Sequence, residues 1–276
     1  MFKMSTTHSF TNRSLRRGAA SILFSLLSLT PLVAASSGTA WVTPHESYSS
    51  SVGVLGCKVN TDRIAYWPNS IDCTNLCVEL SYQGRTVHLL RIDRSEGAHD
   101  VSYDAWNYLY TGYSATEKPA AGGATAMEYK DVDISHCADL IYTDDGKMPF
   151  SAANSMNFIA SCLDQTESWV GNNYVLYNIL DPICLWGNDE RCDLDWPAAN
   201  QAACPHPLGT PSVLEDTPVW NVQYPTGKRV KAGAPPEMPV VGDLPPAPED
   251  DAGVMVGASA MVVKVVSGIV AVWLLC

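Results

Sequence analysis

Apolar and polar side chains alternate along Cys77, Val78, Glu79, Leu80, Ser81 and Tyr82, the period-two signature of a half-buried strand. Gln83-Gly84 then supplies a two-residue turn, and 85–93 resumes with Val87, Leu89, Leu90 and Ile92, so the pair is predicted to form a β-hairpin. Residues 63–67 and 127–132 are shorter predicted strands. The spacing changes over 102–110, where Ala105 and Leu109 share a helical face. Ser102 is placed to cap that helix, Asp104 to sit in its first turn and Gly112 to end it. Residues 36–136 therefore read as mainly β with one short helix.

From 137 to 210 the pattern becomes helical. With Ser151 as N-cap, Ala152, Met156, Ile159, Ala160 and Leu163 fall on one face. Val175, Leu176, Ile179 and Leu180 do the same over 173–180, which stops before Pro182. The two are predicted to pair as an αα-hairpin with Cys162 and Cys184 at its ends. This half carries no recognisable chemistry, and its expected role is to pack on the β half and brace it, with a partner-binding surface as the alternative. No internal repeat is evident.

The two ends read as processing signals. Residues 1–35 combine Lys3, Arg13, Arg16 and Arg17 with an apolar run and a small-residue Val33-Ala34-Ala35 step, the pattern of a signal peptide cleaved before Ser36. A mitochondrial presequence is the rival, disfavoured by the unbroken apolar run and the cysteines downstream. Residues 211–251 are expected to form a proline-rich acidic stalk, since proline fixes φ and donates no amide hydrogen. The apolar 252–276 beyond it resembles a GPI-attachment signal, with small residues at Gly253 or Gly257-Ala258-Ser259. A transmembrane helix is the alternative. Lys264 within the segment and the lack of Lys or Arg after it disfavour that.

Charge and cysteines narrow the setting. The chain holds 29 acidic and 17 basic residues, a formal net charge of −12. All the acids lie within 46–251, a span that repels phosphate backbones, so nucleic acid is excluded as a partner. Cys276 lies in the tail, leaving Cys57, Cys73, Cys77, Cys137, Cys162, Cys184, Cys192 and Cys204 for up to four disulfides of open connectivity. Cys73 and Cys77 have tolerable zinc spacing but no matching pair nearby, so no metal is expected. The mature span has no Asn-x-Ser/Thr sequon.

The run CVELSYQGRTVHLLRIDRSEGAHDVSYDAWNYL, residues 77–109, resembles the core signature of double-psi β-barrels of the barwin, expansin and RlpA-like family. Ile92-Asp93-Arg94 stands for that family's valine-aspartate-arginine segment, and Asp100-Val101-Ser102 for the aspartate-leucine-serine that opens a helix. The likeness extends more loosely over 48–133. Ser95 replaces a cysteine usual in barwin-type members, and the second domain of expansins is absent. The resemblance implies a six-stranded double-psi barrel with a short helix, followed here by the disulfide-rich helical segment.

It also implies carbohydrate. Asp100 matches the position of the family's catalytic acid or its non-lytic counterpart, and Asp93 is the second carboxylate that an inverting pair would need. Both residues equally suit a turn-holding role through backbone N–H bonds. Tyr66, Trp67 and Tyr103 are candidate sugar-stacking rings, although Tyr66 and Trp67 should point to opposite faces, and His99 is a candidate ligand contact beside Asp100. Gly-x-Ser-x-Gly, phosphate-loop and His-Glu-x-x-His motifs are missing.

The expectation is a secreted cell-surface or wall protein, GPI-anchored to the outer leaflet, that binds or loosens chitin, β-glucan, cellulose or peptidoglycan without strong hydrolysis and uses no cofactor. One alternative is a weak endoglucanase or lytic transglycosylase acting through Asp100. The other is an effector or inhibitor that binds a host protein.

Overall fold

A computed structural model describes residues 36–69 and 71–234. The expected signal peptide, the stalk beyond residue 234 and the apolar tail lie outside the described residues. Six strands close into a barrel: β1 (Ser37–His45), β2 (Ile64–Trp67), β3 (Cys77–Tyr82), β4 (Arg85–Arg94), β5 (His99–Ser102) and β6 (Thr125–Val132). Their cyclic order is β1-β5-β2-β4-β3-β6, with β1/β5 and β2/β4 parallel and the other neighbours antiparallel. Exchanging β1 with β4, β2 with β5 and β3 with β6 reproduces the same order and the same orientations. The barrel is thus two interleaved three-strand halves related by a topological two-fold, a double-psi-like arrangement that the sequence of the two halves does not display.

Local chemistry explains the pieces. Gln83 and Gly84 both take positive φ, 49° and 77°, as a two-residue hairpin turn requires, and Tyr82 faces Arg85 across it. Helix α1 (Tyr103–Thr111) follows β5 directly and ends at Gly112, whose φ of 86° and N–H bond to the Tyr108 carbonyl form a left-handed cap. Ser102 stands at the N-cap, but its hydroxyl accepts from the Ile64 N–H at 3.2 Å instead, tying β5 to β2. Asp104 is buried in the first turn and held by Arg63 at 2.8 Å, Ser114 Oγ at 2.5 Å and the Ala115 N–H at 2.7 Å.

The second half packs on the barrel as a three-stranded sheet, β7 (Met148–Ser151), β8 (Tyr174–Ile179) and β9 (Gly187–Cys192), with short helices α2 (Met156–Leu163) and α3 (Trp169–Asn172). The helix expected over 173–180 is therefore strand β8, and the predicted αα-hairpin does not form. A short apolar run fits either period, and here Tyr174, Val175, Tyr177 and Ile179 favour a strand held between two neighbours. Ser151 ends β7 rather than capping α2, its hydroxyl donating to the Ile179 carbonyl at 2.6 Å. The stalk does not begin at 211. Strands β10 (Trp220–Val222) and β11 (Arg229–Lys231) form a hairpin, Val222 joins the barrel core, and Val219 and Ala232 join the core of the second half.

Two apolar clusters result. Ala40, Val42, Ala65, Trp67, Val78, Leu80, Val87, Leu89, Val101 and Met127 fill the barrel with Ala105, Trp106 and Leu109 of α1. Ile64, Tyr66, Leu90 and Ile92 point outward into a second cluster with Phe150, Ile159, Leu176 and Ile179. Strand β4 is thus buried on both faces. Disulfides Cys57–Cys184, Cys73–Cys162 and Cys77–Cys137 cross between the halves, and Cys192–Cys204 closes a local loop. Residues 36–136 expressed alone should therefore show no cooperative urea transition, whereas 36–234 should unfold in one step. A sigmoidal transition in the shorter chain, followed by circular dichroism, would refute this dependence.

Candidate functional site

The register places the sequence candidates. Thr43 on β1 faces Asp100 on β5, Asp100 faces Tyr66 on β2, and Tyr66 faces Asp93 on β4. Since Val42, Val101 and Ala65 point into the barrel, their neighbours Thr43, Asp100 and Tyr66 point out. On β4 the register shifts between Ala65 and Tyr66, leaving Ile92 as the extra residue and returning Asp93 to this row. The row spans three strand spacings, about 14 Å. Its middle pair, Tyr66 and Asp100, sits on the topological two-fold.

Asp100 and Asp93 occupy different environments. Asp100 is half-buried, and its Oδ1 accepts from the Thr43 hydroxyl. Asp93 is buried and accepts from the Ser51 N–H, from Ser51 Oγ at 2.5 Å and from the Arg94 N–H at 2.8 Å. That is the pattern of a loop-holding carboxylate, clamping 49–51 to the end of β4. The two aspartates are two strand spacings apart, roughly 10 Å at Cα, with Tyr66 between them. Tyr66 is 5% exposed. Its phenol oxygen accepts from the Ser49 N–H at 3.2 Å, and its ring lies 4.8 Å from His45. Burial, reinforced by the Asp93 charge, pushes its hydroxyl well above the usual tyrosine range.

The other candidates lie elsewhere. Trp67 is 4% and Tyr103 1% exposed, so neither presents a ring to a ligand. Tyr103 is tied by its hydroxyl to the Ala120 and Pro225 carbonyls and to the Ala120 N–H. His99 neighbours Asp100 in sequence but sits on the opposite side of β5, edge-on to Trp67 at 4.7 Å, in an aromatic group with Tyr129. Arg91 lies over the same indole at 5.3 Å and 3.5 Å from Asp131. Burial and then Arg91 lower the His99 pKa, against a smaller opposing pull from Asp100.

One residue on the face was not foreseen. Trp41 is 67% exposed and lies two positions before Thr43, hence on the same side of β1. The alternation of Ala40, Val42 and Pro44 with Trp41, Thr43 and His45 was the available signal. Trp41, Thr43 and Asp100 together form an exposed indole beside a hydroxyl and a carboxylate.

No protein-family profile matches the chain. No curated protein matches it significantly either. Among solved structures, cerato-platanin 2 from M. perniciosa is similar over 36% of this chain and 98% of its own, at 18% identity and a TM-score of 0.28. A likeness that slight carries no argument, and the barrel assignment stands on the strand order itself.

Two outcomes are expected. Asp93→Ala, which orphans the Ser51 and Arg94 donors, should cost about 2–3 kcal/mol in denaturant unfolding, while Asp100→Ala should stay within about 1 kcal/mol. Equal costs would overturn the division of roles. Because the folded His99 pKa is depressed, the unfolded state takes up the proton first as pH falls. The stability His99 contributes is therefore full above the unfolded value of about 6.5 and is lost as pH drops through the lower folded value. A histidine NMR titration that placed His99 at or above that value would contradict this.

Proposed function

We propose that the protein is a secreted, non-catalytic cell-surface protein whose barrel face binds wall polysaccharide at Trp41, Thr43 and Asp100. The observation that carries the reading is the exposed Trp41 indole, two positions along β1 from Thr43 and on the same side as the polar row. A pyranose ring presents an apolar C–H face that suits an indole, while its hydroxyls suit a carboxylate and a threonine hydroxyl. Four disulfides among the described residues support an oxidising, extracellular setting. The leader and the GPI-like tail read from the sequence agree with it. Hydrolysis by inversion needs a second carboxylate free to activate water, and Asp93 is already committed to three protein donors.

The test uses secreted residues 36–234 as wild type, Trp41→Ala and Asp100→Asn against insoluble chitin, β-glucan, cellulose and peptidoglycan. Bound protein and released sugar are both scored. The wild type is expected to bind at least one polymer without releasing soluble sugar, and Trp41→Ala to weaken that binding roughly tenfold, about 1.4 kcal/mol. Sugar release abolished by Asp100→Asn would make the protein a glycan-cleaving enzyme. Retention on none of the four polymers would move the search to a protein partner.

A further inference from the structure

Asp93, the last member of the row, also lines a groove of about 660 Å³ between the loop 48–51 and the segment 181–186. We propose that a glycan bound on the barrel face continues into this groove and stacks a second sugar ring on Trp186. This rests on the glycan reading above and extends it to a subsite built by the second half of the chain.

Both walls are fixed. On one side Ser50 Oγ donates to the Ile92 carbonyl at 3.2 Å and accepts from the Val54 N–H at 3.0 Å, Tyr48 donates its hydroxyl to the Val54 carbonyl, and Ser51 is clamped on Asp93. On the other, the Asp181 carboxylate accepts from the N–H groups of Leu185 and Trp186 at 3.1 and 3.0 Å. The Cys57–Cys184 disulfide and the Gly56 N–H bond to the Pro182 carbonyl anchor that turn to the barrel side. A site held this way requires little ordering when a ligand arrives.

Its chemistry selects the occupant. Pro182, Ile183, Leu185 and a 43% exposed Trp186 form an apolar wall opposite serines. The two carboxylates at its margin, Asp93 and Asp181, both accept bonds from the protein's own backbone. An apolar platform whose bordering carboxylates are already bonded to backbone N–H groups suits an uncharged pyranose better than a phosphate or a cation. The volume falls within the roughly 300–1,000 Å³ typical of small-ligand sites. Trp41 stands on β1 near Thr43 and Trp186 shares the groove with Asp93 of β4. A glycan therefore contacts both platforms only when it is long enough to span the barrel face, and affinity must rise with chain length.

Calorimetric titration of 36–234 with short and long oligosaccharides of the polymer that the wild type retains tests this. Trp186→Ala should weaken the long oligosaccharide roughly tenfold and leave the short one unchanged, while Trp186→Phe, which keeps a ring, should restore most of the loss. An unaltered thermal transition in both variants shows that the fold is intact. Wild-type binding with no gain from length, or a Trp186→Ala variant that keeps the gain, overturns the second subsite and leaves the barrel-face reading standing. A wild type that binds no oligosaccharide overturns both.

Discussion

The structure depends on a strand that cannot stand alone. Strand β4 sends Val87 and Leu89 into the barrel and Leu90 and Ile92 to the opposite side, where Ile64 and Tyr66 of β2 join them. Leaving four such side chains in water would forfeit about 2 kcal/mol each, on the order of 8 kcal/mol in all. That is comparable with the whole stability of an ordinary domain, about 5–15 kcal/mol. The second half of the chain is therefore a wall of the barrel's outer core, and three inter-half disulfides hold it in place. One consequence reaches the site: the elements that cover β4 also bring the 181–186 segment beside the loop 48–51.

The topological two-fold sets where chemistry can lie. At the β2/β5 crossing the two halves meet in antiparallel register, so Tyr66 and Asp100 face one another and their outer partners, Asp93 and Thr43, extend the row symmetrically. The symmetry of position is broken by chemistry. Thr43 donates its hydroxyl to Asp100 within the row, whereas Asp93 is drawn into the loop 49–51. The interior side of the same strands holds Arg91, Trp67 and His99, a group whose charge is neutralised by Asp131. Alternating strands thus separate an outward polar row from an inward aromatic plug a single residue away.

Much of this was legible in the residues. The hairpin turn at Gln83-Gly84 and the helix bounded by Ser102 and Gly112 are local chemistry, and the local signals were enough. The motif through Asp93 and Asp100 pointed to the barrel. Strand β8 was not legible because Val175, Leu176 and Ile179 fit both periods, and only burial between β7 and β9 decides. Residues 211–234 read as stalk because the segment after them, 235–248, is rich in proline, yet Val219 and Val222 supply apolar anchors that fold them back. The facing of His99 was within reach, since the period-two rule applied to Tyr66 and Trp67 also places His99 and Asp100 on opposite sides. Trp186 was beyond reach. Its place beside Asp93 comes from a disulfide pairing across 127 residues that no spacing reveals.

Binding and cleavage make different demands on such a face, and the row's composition bears on which it serves. A lytic pair needs a proton donor, a free base and room for water between them. Here the residue between the two carboxylates is a buried tyrosine, packed against His45 and tied to the Ser49 N–H. Asp93 spends its lone pairs on holding a loop, and Asp100 accepts from Thr43. Each of these contacts stiffens the row, and those at Asp93 commit that carboxylate to its loop. For the glycan reading proposed above, a rigid row limits the freedom lost on contact, and an exposed indole lets stacking area accumulate along the ligand.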